Sequence, residues 1–470
     1  MAKPKPLSGF PEWLPAGRLI EQHILQVLQH TFELYGYSSI ETRAVEPLSQ
    51  LLSKGETSKE VYLLSRLQDS AWSGATLPDD APRAASADRP SADKQLGLHF
   101  DLTVPFARYV LENSAQLAFP FKRYQIQKVW RGERPQDGRF REFTQADIDV
   151  VGDGDLPYHF EVEAPLVMAH ALGELEKIGV PAARILVNNR KLMEGYFLGL
   201  GFTDVAVVLR NVDKLDKIGP EKVAELLVSE GGVAPSVAEA ALELAQISGG
   251  VEVVAQVEAL AAKHSIDSDL LREGLGELDQ LLRAAAAAGA TSVSADLKIA
   301  RGLDYYTGSV YETVLVGHEQ LGSICSGGRY DKLAQDGNRT FPGVGLSIGV
   351  SRLVSRLLSA GLVTVSRPVP TVVVVAVDSE ETRGDSQAIA TALRARGIPT
   401  EVAPAAAKYG KQIRYADRRG IPFVWFPGSD GEPDQLKDIR TGEQVPADRA
   451  TWQPADEDLR PQVSSGRADQ

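Results

Sequence analysis

Residues 121–149 alternate apolar and polar positions in two runs, a pattern that predicts two long β-strands. Between the runs lies Pro-Gln-Asp-Gly at 135–138, which is typical of a turn. The pattern therefore predicts an antiparallel hairpin. Four arginines crowd around its turn, at Arg131, Arg134, Arg139 and Arg141. Because guanidinium groups bind phosphates bidentately and stay charged, the hairpin is a candidate phosphate-binding element. The alternative is a set of surface salt bridges with neighbouring glutamates.

Upstream of the hairpin, helical spacing of apolar residues predicts a helix over 19–35, followed by a strand over 37–43. Two short apolar runs, 61–63 and 96–98, predict adjacent strands. The segment 68–94 between them is rich in Ala, Ser, Asp and Pro. We therefore expect it to form a mobile insertion loop.

Downstream of the hairpin, the periodicity predicts a mainly helical region that ends near residue 289. We expect helices at 160–178, 221–228, 237–247, 251–264 and 270–288. We expect strands at 184–189, 297–299 and 311–315. Residues 343–353, rich in glycine at first, turn from a strand into a helix.

Beyond residue 370, strand and helix patterns alternate, which predicts a small α/β domain with a mostly parallel sheet. Its elements are expected at 371–377, in a helix to 396, and at 400–402, 408–419 and 423–426. The polar tail after residue 452 is expected to be loose.

Length and composition limit the class of protein. A chain of 470 residues predicts two or three domains, and 43% apolar with 24% charged residues is ordinary for a globular protein. The single cysteine, Cys325, excludes an intramolecular disulfide framework and a multi-cysteine metal site. With no signal peptide and no apolar run of about 20 residues, we expect a cytoplasmic protein without a membrane partner.

A net charge of -13 argues against a general nucleic-acid binder, so any nucleic-acid contact requires localised basic residues. Such residues recur at helical spacing near the end of the chain, with Tyr415 and Arg419 alongside: Lys408, Lys411, Arg414 and Arg418. This basic stripe is a candidate nucleic-acid contact. The alternative is a solvated helix face.

Several motifs carry a resemblance to a known family. Trp-Arg-Gly-Glu at 130–133 with Arg-Glu-Phe-Thr-Gln-Ala-Asp-Ile-Asp at 141–149 resembles motif 2 of class II aminoacyl-tRNA synthetases, in the form found in the histidyl-tRNA synthetase family. Arg-Gly-Leu-Asp-Tyr-Tyr-Thr-Gly at 301–308 resembles that family's signature. Residues 343–353 resemble motif 3, and residues 19–47 resemble motif 1, which implies a homodimer.

The resemblance implies an α+β catalytic domain at 1–180 and 290–362, with an antiparallel sheet flanked by helices. It also implies a mostly helical insertion domain at 181–289 and a C-terminal α/β anticodon-binding domain at 370–455. In the latter domain, the resemblance implies that the basic stripe contacts tRNA through Lys408, Lys411, Arg414 and Arg418. The implied reaction joins L-histidine to ATP as histidyl-adenylate and transfers it to tRNA-His. The chain departs from the family pattern at His99, usually arginine, at Ser351, usually glutamate, and in the length of 68–94.

Activation of an amino acid brings a carboxylate to the α-phosphate, so cations must offset the developing negative charge. The resemblance assigns this catalytic role to Arg131 and Arg301. It implies that ATP is contacted by Arg131, Glu133, Arg139, Phe143 and Arg352. It also implies that Mg²⁺ accompanies ATP, and it assigns no metal ligands.

Recognition of histidine needs acceptors for the α-ammonium and for an imidazole N–H. Asp101 and Thr103 are expected on one face of a strand. The resemblance implies histidine contacts by Asp101, Thr103, Arg131, Gln145, Asp149, Arg301, Tyr305 and Tyr306. Isolated paired tyrosines are more often core residues, but these two lie inside the signature.

Two rival interpretations remain. One is the histidyl-synthetase-like regulatory subunit of ATP phosphoribosyltransferase, a non-catalytic protein that lacks the anticodon domain. The other is a different class IIa synthetase, which the signature at 301–308 opposes.

Overall fold

The computed structural model describes residues 4–52, 60–65, 95–136, 138–300, 305–429 and 431–466. These residues divide into two compact units, one of residues up to 11, 25–176 and 181–356, the other of 12–24, 177–180 and 357–470. The expected loop at 68–94 and the predicted catalytic Arg301 lie outside the described residues. In the described part of the chain, no helix is long and apolar enough to cross a membrane.

The strands of the first unit lie between residues 38 and 349. They are β1 (Ser38–Ser39), β2 (Val45–Pro47), β3 (Leu63–Leu64), β4 (Leu96–Leu98), β5 (Phe121–Trp130), β6 (Glu142–Val151), β7 (Ala183–Asn189), β8 (Ser248–Gly249), β9 (Val293–Asp296), β10 (Ser309–Leu315), β11 (Cys325–Tyr330), β12 (Gln335–Asp336), β13 (Arg339–Thr340) and β14 (Gly343–Gly349).

The helices up to residue 359 include a short one, α2, and a cluster between β7 and β9. They are α1 (Pro15–Leu34), α2 (Leu48–Leu51), α3 (Thr103–Asn113), α4 (His159–Glu176), α5 (Arg190–Gly199), α6 (Val205–Val212), α7 (Leu215–Ile218), α8 (Pro220–Gly231), α9 (Pro235–Ala245), α10 (Val253–Lys263), α11 (Asp269–Ala287) and α12 (Val350–Ser359).

Nine strands form one mixed sheet in the order β1-β5-β6-β14-β11-β10-β7-β9-β8. The central pairs from β5 to β7 are all antiparallel. Only β1 with β5 and β7 with β9 pair in parallel within this sheet. Helix α4 packs against β14, β7 and β9 and buries Met168 and Leu172. This burial of apolar side chains stabilises the sheet that carries the site.

The hairpin predicted from alternation is confirmed. Phe121 pairs with Val151 and Trp130 with Glu142 along β5 and β6. Side chains alternate across a strand, so Ala146, Ile148 and Val150 share one face of β6 and are buried. The opposite face carries polar residues that are buried as well, and the functional site is built on them.

In the second unit, a five-stranded sheet has the order β17-β16-β18-β19-β20. The strands of this unit are β15 (Val363–Val365), β16 (Val373–Val375), β17 (Thr400–Val402), β18 (Phe423–Phe426), β19 (Gln435–Asp438), β20 (Gln444–Pro446) and β21 (Val463–Ser465). The helices of this unit beyond residue 359 are α13 (Arg383–Ala395), α14 (Tyr409–Arg418) and α15 (Asp456–Leu459). Strand β16 is parallel to β17 and β18, whereas β19 and β20 add antiparallel pairs.

Four expectations were wrong. The sheet of the second unit was expected to be mostly parallel, but two of its four strand pairs are antiparallel, because β18, β19 and β20 are consecutive elements joined by short loops. The strand expected at 297–299 lies four residues earlier, as β9, because Leu297 and Ile299 enter a turn in which the Ile299 amide donates to the Asp296 carbonyl. The tail expected to be loose contains α15, and β21 pairs with β15. The strand expected across Asp101 and Thr103 is instead the beginning of helix α3.

Candidate active site

Three polar residues, Gln145, Asp147 and Asp149, share the second face of β6 and are at most 8% exposed. Alternation places them in a row, with the neighbouring strand β14 directly opposite. Burying polar groups is unfavourable unless each is hydrogen-bonded or paired with a charge. Their partners therefore determine what this face can bind.

An open cleft of about 620 Å³, the arginine cleft, lies at the turn end of the β5–β6 hairpin. It is lined by Arg131, Glu133, Gly138, Arg139, Phe140, Phe143, Gln145, Ser323, Ile324, Cys325, Ser326, Ser347, Gly349 and Arg352. The structure thus brings together all five residues predicted to contact ATP. Three guanidinium groups around one cleft suit a polyphosphate.

Backbone contacts hold two of these arginines. Arg131 Nε donates to the Phe100 carbonyl at 3.0 Å, and the Arg131 guanidinium lies 5.1 Å from the Phe143 ring centroid. Arg352 Nε donates to the Gly138 carbonyl at 2.9 Å, and its Nη1 donates to the Ser323 carbonyl. These bonds fix the direction of each guanidinium before any ligand binds.

A second, smaller pocket of about 260 Å³, the tyrosine pocket, continues along the same strands. It is lined by Thr103, Asp147, Asp149, Tyr305, Tyr306, Ser326, Gly327, Gly328, Tyr330, Gly345, Leu346 and Ser347. Ser326 and Ser347 line both the tyrosine pocket and the arginine cleft, so the two are adjacent. Four residues predicted to contact histidine meet in the tyrosine pocket: Thr103, Asp149, Tyr305 and Tyr306.

Asp149 has two buried partners. Its Oδ2 lies 2.6 Å from Arg123 Nη2, and its Oδ1 accepts a hydrogen bond from the Tyr330 hydroxyl at 2.7 Å. Burial, together with the Asp149 charge, raises the pKa of Tyr330 well above its ordinary value. Gly345 makes room for this group, because a Cβ there would lie 2.2 Å from Asp149 Oδ1. The carboxylate is thus fixed in one position against β14.

Asp147 takes part in a second network. Gln145 Nε2 donates to Ser347 Oγ at 2.7 Å, and Ser347 Oγ donates to Asp147 Oδ1. Burial raises the pKa of Asp147 to about 7, the Arg123 charge opposes that rise, and the Asp149 charge adds to it. Two carboxylates therefore share the field of one buried guanidinium.

Asp101 acts at a helix beginning rather than on a strand. Its Oδ1 accepts a hydrogen bond from the Val104 amide at 3.0 Å, in the first turn of α3. Short polar side chains favour this capping bond over a strand conformation, which is why the predicted alternation fails here. Thr103 is the first residue of α3 and reaches the tyrosine pocket.

The two single-residue departures from the family pattern both have structural partners. His99 is buried, stacks on Trp130 with ring centroids 5.6 Å apart, and donates from Nε2 to the Lys128 carbonyl at 2.7 Å. Burial lowers the pKa of His99. The Ser351 hydroxyl accepts a hydrogen bond from the Thr144 amide at 2.9 Å. Both side chains support the strands around the arginine cleft.

Residues 305–308, the described end of the predicted signature, are anchored to β11. Thr307 Oγ1 donates to Asp331 at 2.6 Å, and the Thr307 amide donates to the Arg329 carbonyl at 2.8 Å. Arg329 in turn pairs with buried Glu161 at 2.8 Å. This arrangement holds the Tyr305 and Tyr306 rings, whose centroids are 4.1 Å apart, at the pocket.

In the second unit, α14 carries the basic stripe. Its four predicted tRNA contacts, Lys408, Lys411, Arg414 and Arg418, are exposed. Tyr415 and Arg419 differ from them, because both donate to the Glu401 carboxylate of β17. The exposed stripe is therefore limited to the four basic residues.

Sequence reasoning missed four residues of the site: Arg123, Asp147, Tyr330 and Ser347. A signal existed for one of them, since Asp147 falls between Gln145 and Asp149 on the same face of β6. For the other three, the relevant contacts cross from β5, β11 and β14. Sequence reasoning also missed the carboxylate of Glu60, which is a neighbour of Glu133. Burial raises the pKa of Glu60.

Comparisons with known proteins find similar sequences and similar folds. A family model described as histidyl-tRNA synthetase matches residues 87–353, and one described as anticodon binding domain matches residues 371–450. A histidine–tRNA ligase of Bifidobacterium animalis subsp. lactis is 57% identical over 464 residues, 97% of each chain. One of Micrococcus luteus is 57% identical over 470 residues, 99% of each chain.

Among solved structures, the histidyl-tRNA synthetase from Nostoc sp. PCC 7120 is 34% identical, with a TM-score of 0.81, and covers 95% of this chain and 97% of its own. An ATP phosphoribosyltransferase regulatory subunit/histidyl-tRNA synthetase from Bacillus halodurans is 19% identical, with a TM-score of 0.70 over 91% of this chain and 98% of its own. At that identity the second likeness shows the fold alone.

A largely antiparallel sheet that carries an arginine hairpin and passes from β14 directly into α12 is the core of a class II aminoacyl-tRNA synthetase. The fold class inferred from the motifs is thus confirmed. Within this class, the family model and the relatives that match nearly the whole chain identify the family. The chain belongs to the histidyl-tRNA synthetase family.

Proposed function

We propose that the arginine cleft and the tyrosine pocket are the ATP and histidine halves of one active site. The observation that carries this proposal is their shared wall, Ser326 and Ser347. A carboxylate held in one half would face an α-phosphate held in the other, which the first step requires. Positioning of the two reactants is itself a large part of such catalysis.

As a histidine–tRNA ligase, the enzyme uses ATP, and its cleft is suited to the triphosphate. Arg131 would bridge the histidine carboxylate and the α-phosphate, while Arg139 and Arg352 would contact the remaining phosphates. Phe143 would stack on adenine. Arg301 would act with Arg131 on the developing charge. This assignment is supported by the three guanidinium groups that line the cleft.

Mg²⁺ would accompany ATP. The described residues hold no cluster of three or more metal-ligating side chains. Glu133 is the carboxylate among the described residues that line the arginine cleft, with Glu60 beside it. One carboxylate with substrate phosphates is a donor set that suits Mg²⁺. Bound there, the ion would offset charge on the phosphates.

The tyrosine pocket would select histidine through polar contacts. Acceptors for the α-ammonium and an imidazole N–H would be Thr103 and Asp149 of this pocket, Gln145 of the adjoining arginine cleft, and Asp101 before α3. Tyr305 or Tyr306 would donate to the other ring nitrogen. An amino acid that cannot satisfy buried polar groups leaves them unpaired, which opposes its binding.

We also propose that the chain is organised in three domains. Residues 1–180 with 290–362 would form the catalytic domain, 181–289 the insertion domain and 370–455 the anticodon-binding domain. In support of joining the first two segments, β6 pairs with β14 in one sheet, and β7 extends that sheet from the insertion. We propose that the protein is a cytoplasmic homodimer. Light scattering that shows a monomer would contradict the dimer.

The non-catalytic regulatory subunit is the less supported alternative, because the match to the anticodon binding domain covers residues 371–450. An assay of ATP–pyrophosphate exchange with each of the twenty amino acids distinguishes the readings. We expect exchange with L-histidine far above the others, and no exchange with any of them would contradict the proposal.

A further inference from the structure

Gln145, Ser347 and Asp147 form a directed chain of hydrogen bonds across two strands. Gln145 and Asp147 share a face of β6, and Ser347 of β14 lies directly opposite Asp147 in the sheet register. The amide nitrogen of Gln145 donates to the serine oxygen, and the serine hydroxyl donates to the aspartate. The substrate contacts inferred from the motifs do not account for this chain of hydrogen bonds.

The direction of the chain determines how Gln145 faces the site. A hydroxyl has one proton, and Ser347 donates its proton to the Asp147 carboxylate. The serine oxygen must therefore accept a hydrogen bond from its other neighbour. That neighbour is therefore the NH₂ end of the Gln145 amide, although the two ends of an amide look alike. The other end, Oε1, is buried and has no hydrogen-bond partner in the described part of the chain.

We propose that Asp147 and Ser347 are positioning residues that lock the Gln145 amide with its carbonyl oxygen toward the amino-acid substrate, as an acceptor for the α-ammonium group. The inference rests on the proposed placement of histidine beside Gln145. It assigns to two residues outside the predicted site a share in substrate recognition, exerted through Gln145. A buried acceptor without a partner is unfavourable until a donor arrives, so the locked amide favours a cation.

The charges around Asp147 connect this lock to protonation. Facing groups come from every neighbouring element: Arg123 on β5, Asp149 on β6, Asp101 before α3, Cys325 on β11 and Ser347 on β14. Asp147 interacts with the carboxyl groups of Asp101 and Asp149 and with the single guanidinium of Arg123. Because these carboxyl groups outnumber the cation, the region favours a positively charged ligand. Protonated Asp147 would donate to Ser347 and release the serine proton toward Gln145, which reverses the amide.

The lock therefore predicts a coupling between histidine and a proton. Burial and the neighbouring carboxylates raise the pKa of Asp147 to about 7. A bound ammonium favours the ionised carboxylate, so histidine binding releases a proton from Asp147 near pH 7 and becomes tighter as pH rises through 7. The imidazole of free histidine also titrates near this pH, which makes the comparison with a variant that lacks the carboxyl essential.

The first experiment measures histidine KM and ATP KM by pyrophosphate exchange from pH 6 to 8.5 in the full-length enzyme, two single variants, their double variant and a control variant. Asp147→Asn and Ser347→Ala should each raise histidine KM about ten- to hundredfold, with ATP KM changed less than about twofold. Their double variant should be no worse than the more damaging single variant, because the two residues act as a unit. Asp153→Asn, an exposed partner of Arg339 after β6, is the matched control and should leave histidine KM unchanged.

The second experiment measures proton release by calorimetry of L-histidine binding at pH 7 in buffers of different ionisation enthalpy. Wild type should release more protons than Asp147→Asn. Equal release, or a rise in histidine and ATP KM by the same factor, would overturn the lock.

If wild type shows no exchange with histidine, the proposed function fails. If wild type is active and both variants match it, only the lock fails. Should Asp147→Asn not fold, the histidine KM and ATP KM of Ser347→Ala still decide, because the lock predicts a rise in histidine KM alone.

Discussion

Arg123 and Asp149 form an ion pair of 2.6 Å between strands β5 and β6, with side chains that are 0% and 4% exposed. Arg123 also lies 4.2 Å from the ring centroid of Phe106, measured from its guanidinium carbon. The pair joins the apolar core of the sheet to the wall of the tyrosine pocket. A buried charge that loses its partner is strongly unfavourable.

Arg123→Met should therefore lower the free energy of unfolding by about 3–5 kcal/mol, because Asp149 keeps its charge without a counter-ion. Urea denaturation of the full chain measures this change. The control is Arg339→Met, which breaks an exposed pair with Asp153 and should change stability by less than about 1 kcal/mol. A similar small change for both variants would mean that Arg123 contributes no more than a surface residue.

Asp147 should make stability depend on pH. Its carboxyl keeps a proton up to pH about 7 in the folded protein, whereas in the unfolded chain it ionises near its ordinary pKa of 3.8. The folded state therefore binds more protons between these values, and its stability falls as pH rises through that window.

Asp147→Asn removes this penalty, so it should be more stable than wild type at pH 8, on the order of a few kcal/mol, and the gain should vanish toward pH 4. Melting temperatures of the two proteins at pH 5 and pH 8 provide the measurement. A gain that does not depend on pH would contradict the assignment of the titration to Asp147.

Gly345→Ala should damage the tyrosine pocket. The added Cβ would lie 2.2 Å from Asp149 Oδ1, which forces the carboxylate from its position. We expect a loss of about 1–3 kcal/mol in stability and a raised histidine KM. Gly276→Ala in α11 is the control, since nothing lies within 4 Å of its Cβ, and it should stabilise the protein by about 0.5–1 kcal/mol. Unchanged histidine KM for Gly345→Ala would argue that Asp149 is not a substrate contact.

Arg301→Ala tests the catalytic assignment that rests on the family signature. It should lower kcat of adenylate formation by roughly two to four orders of magnitude, because a fixed cation stabilises the transition state more than the ground state. Transfer from preformed histidyl-adenylate to tRNA should be spared. Single-turnover measurement separates the two steps, and equal damage to both would indicate a structural role.

Reversing charge in the basic stripe should weaken tRNA binding alone. Lys408→Glu, Lys411→Glu and Arg418→Glu should raise the KM for tRNA-His and reduce its salt dependence, by a slope of about 0.7–0.9 for each lost phosphate contact. Pyrophosphate exchange should be unchanged. Arg460→Glu, another exposed residue of the second unit, is the control. Loss of exchange in the α14 variants would show instead that the helix supports the fold.

Local pattern was sufficient for the hairpin of β5 and β6, because period-2 alternation and a turn sequence both lie within one short stretch. It failed at Asp101, where a capping bond to the Val104 amide outweighed strand propensity. Motif resemblance was sufficient to find five side chains that line the arginine cleft, those of Arg131, Glu133, Arg139, Phe143 and Arg352. The hydrogen-bond chain from Gln145 was not, since it depends on which strand lies beside β6, and no local property of residues 141–149 specifies that neighbour.

The order of strands in the nine-stranded sheet has a consequence for synthesis of the chain. Gln145 and Ser347 are 202 residues apart, yet β6 and β14 are adjacent. While the ribosome makes the intervening residues, one edge of β6 has no strand to pair with and displays unsatisfied backbone groups. Exposed edges of this kind recruit other chains. The nascent enzyme should therefore depend most on chaperones in the interval between release of β6 and release of β14 from the ribosomal tunnel, which ribosome profiling of chaperone-bound nascent chains would reveal.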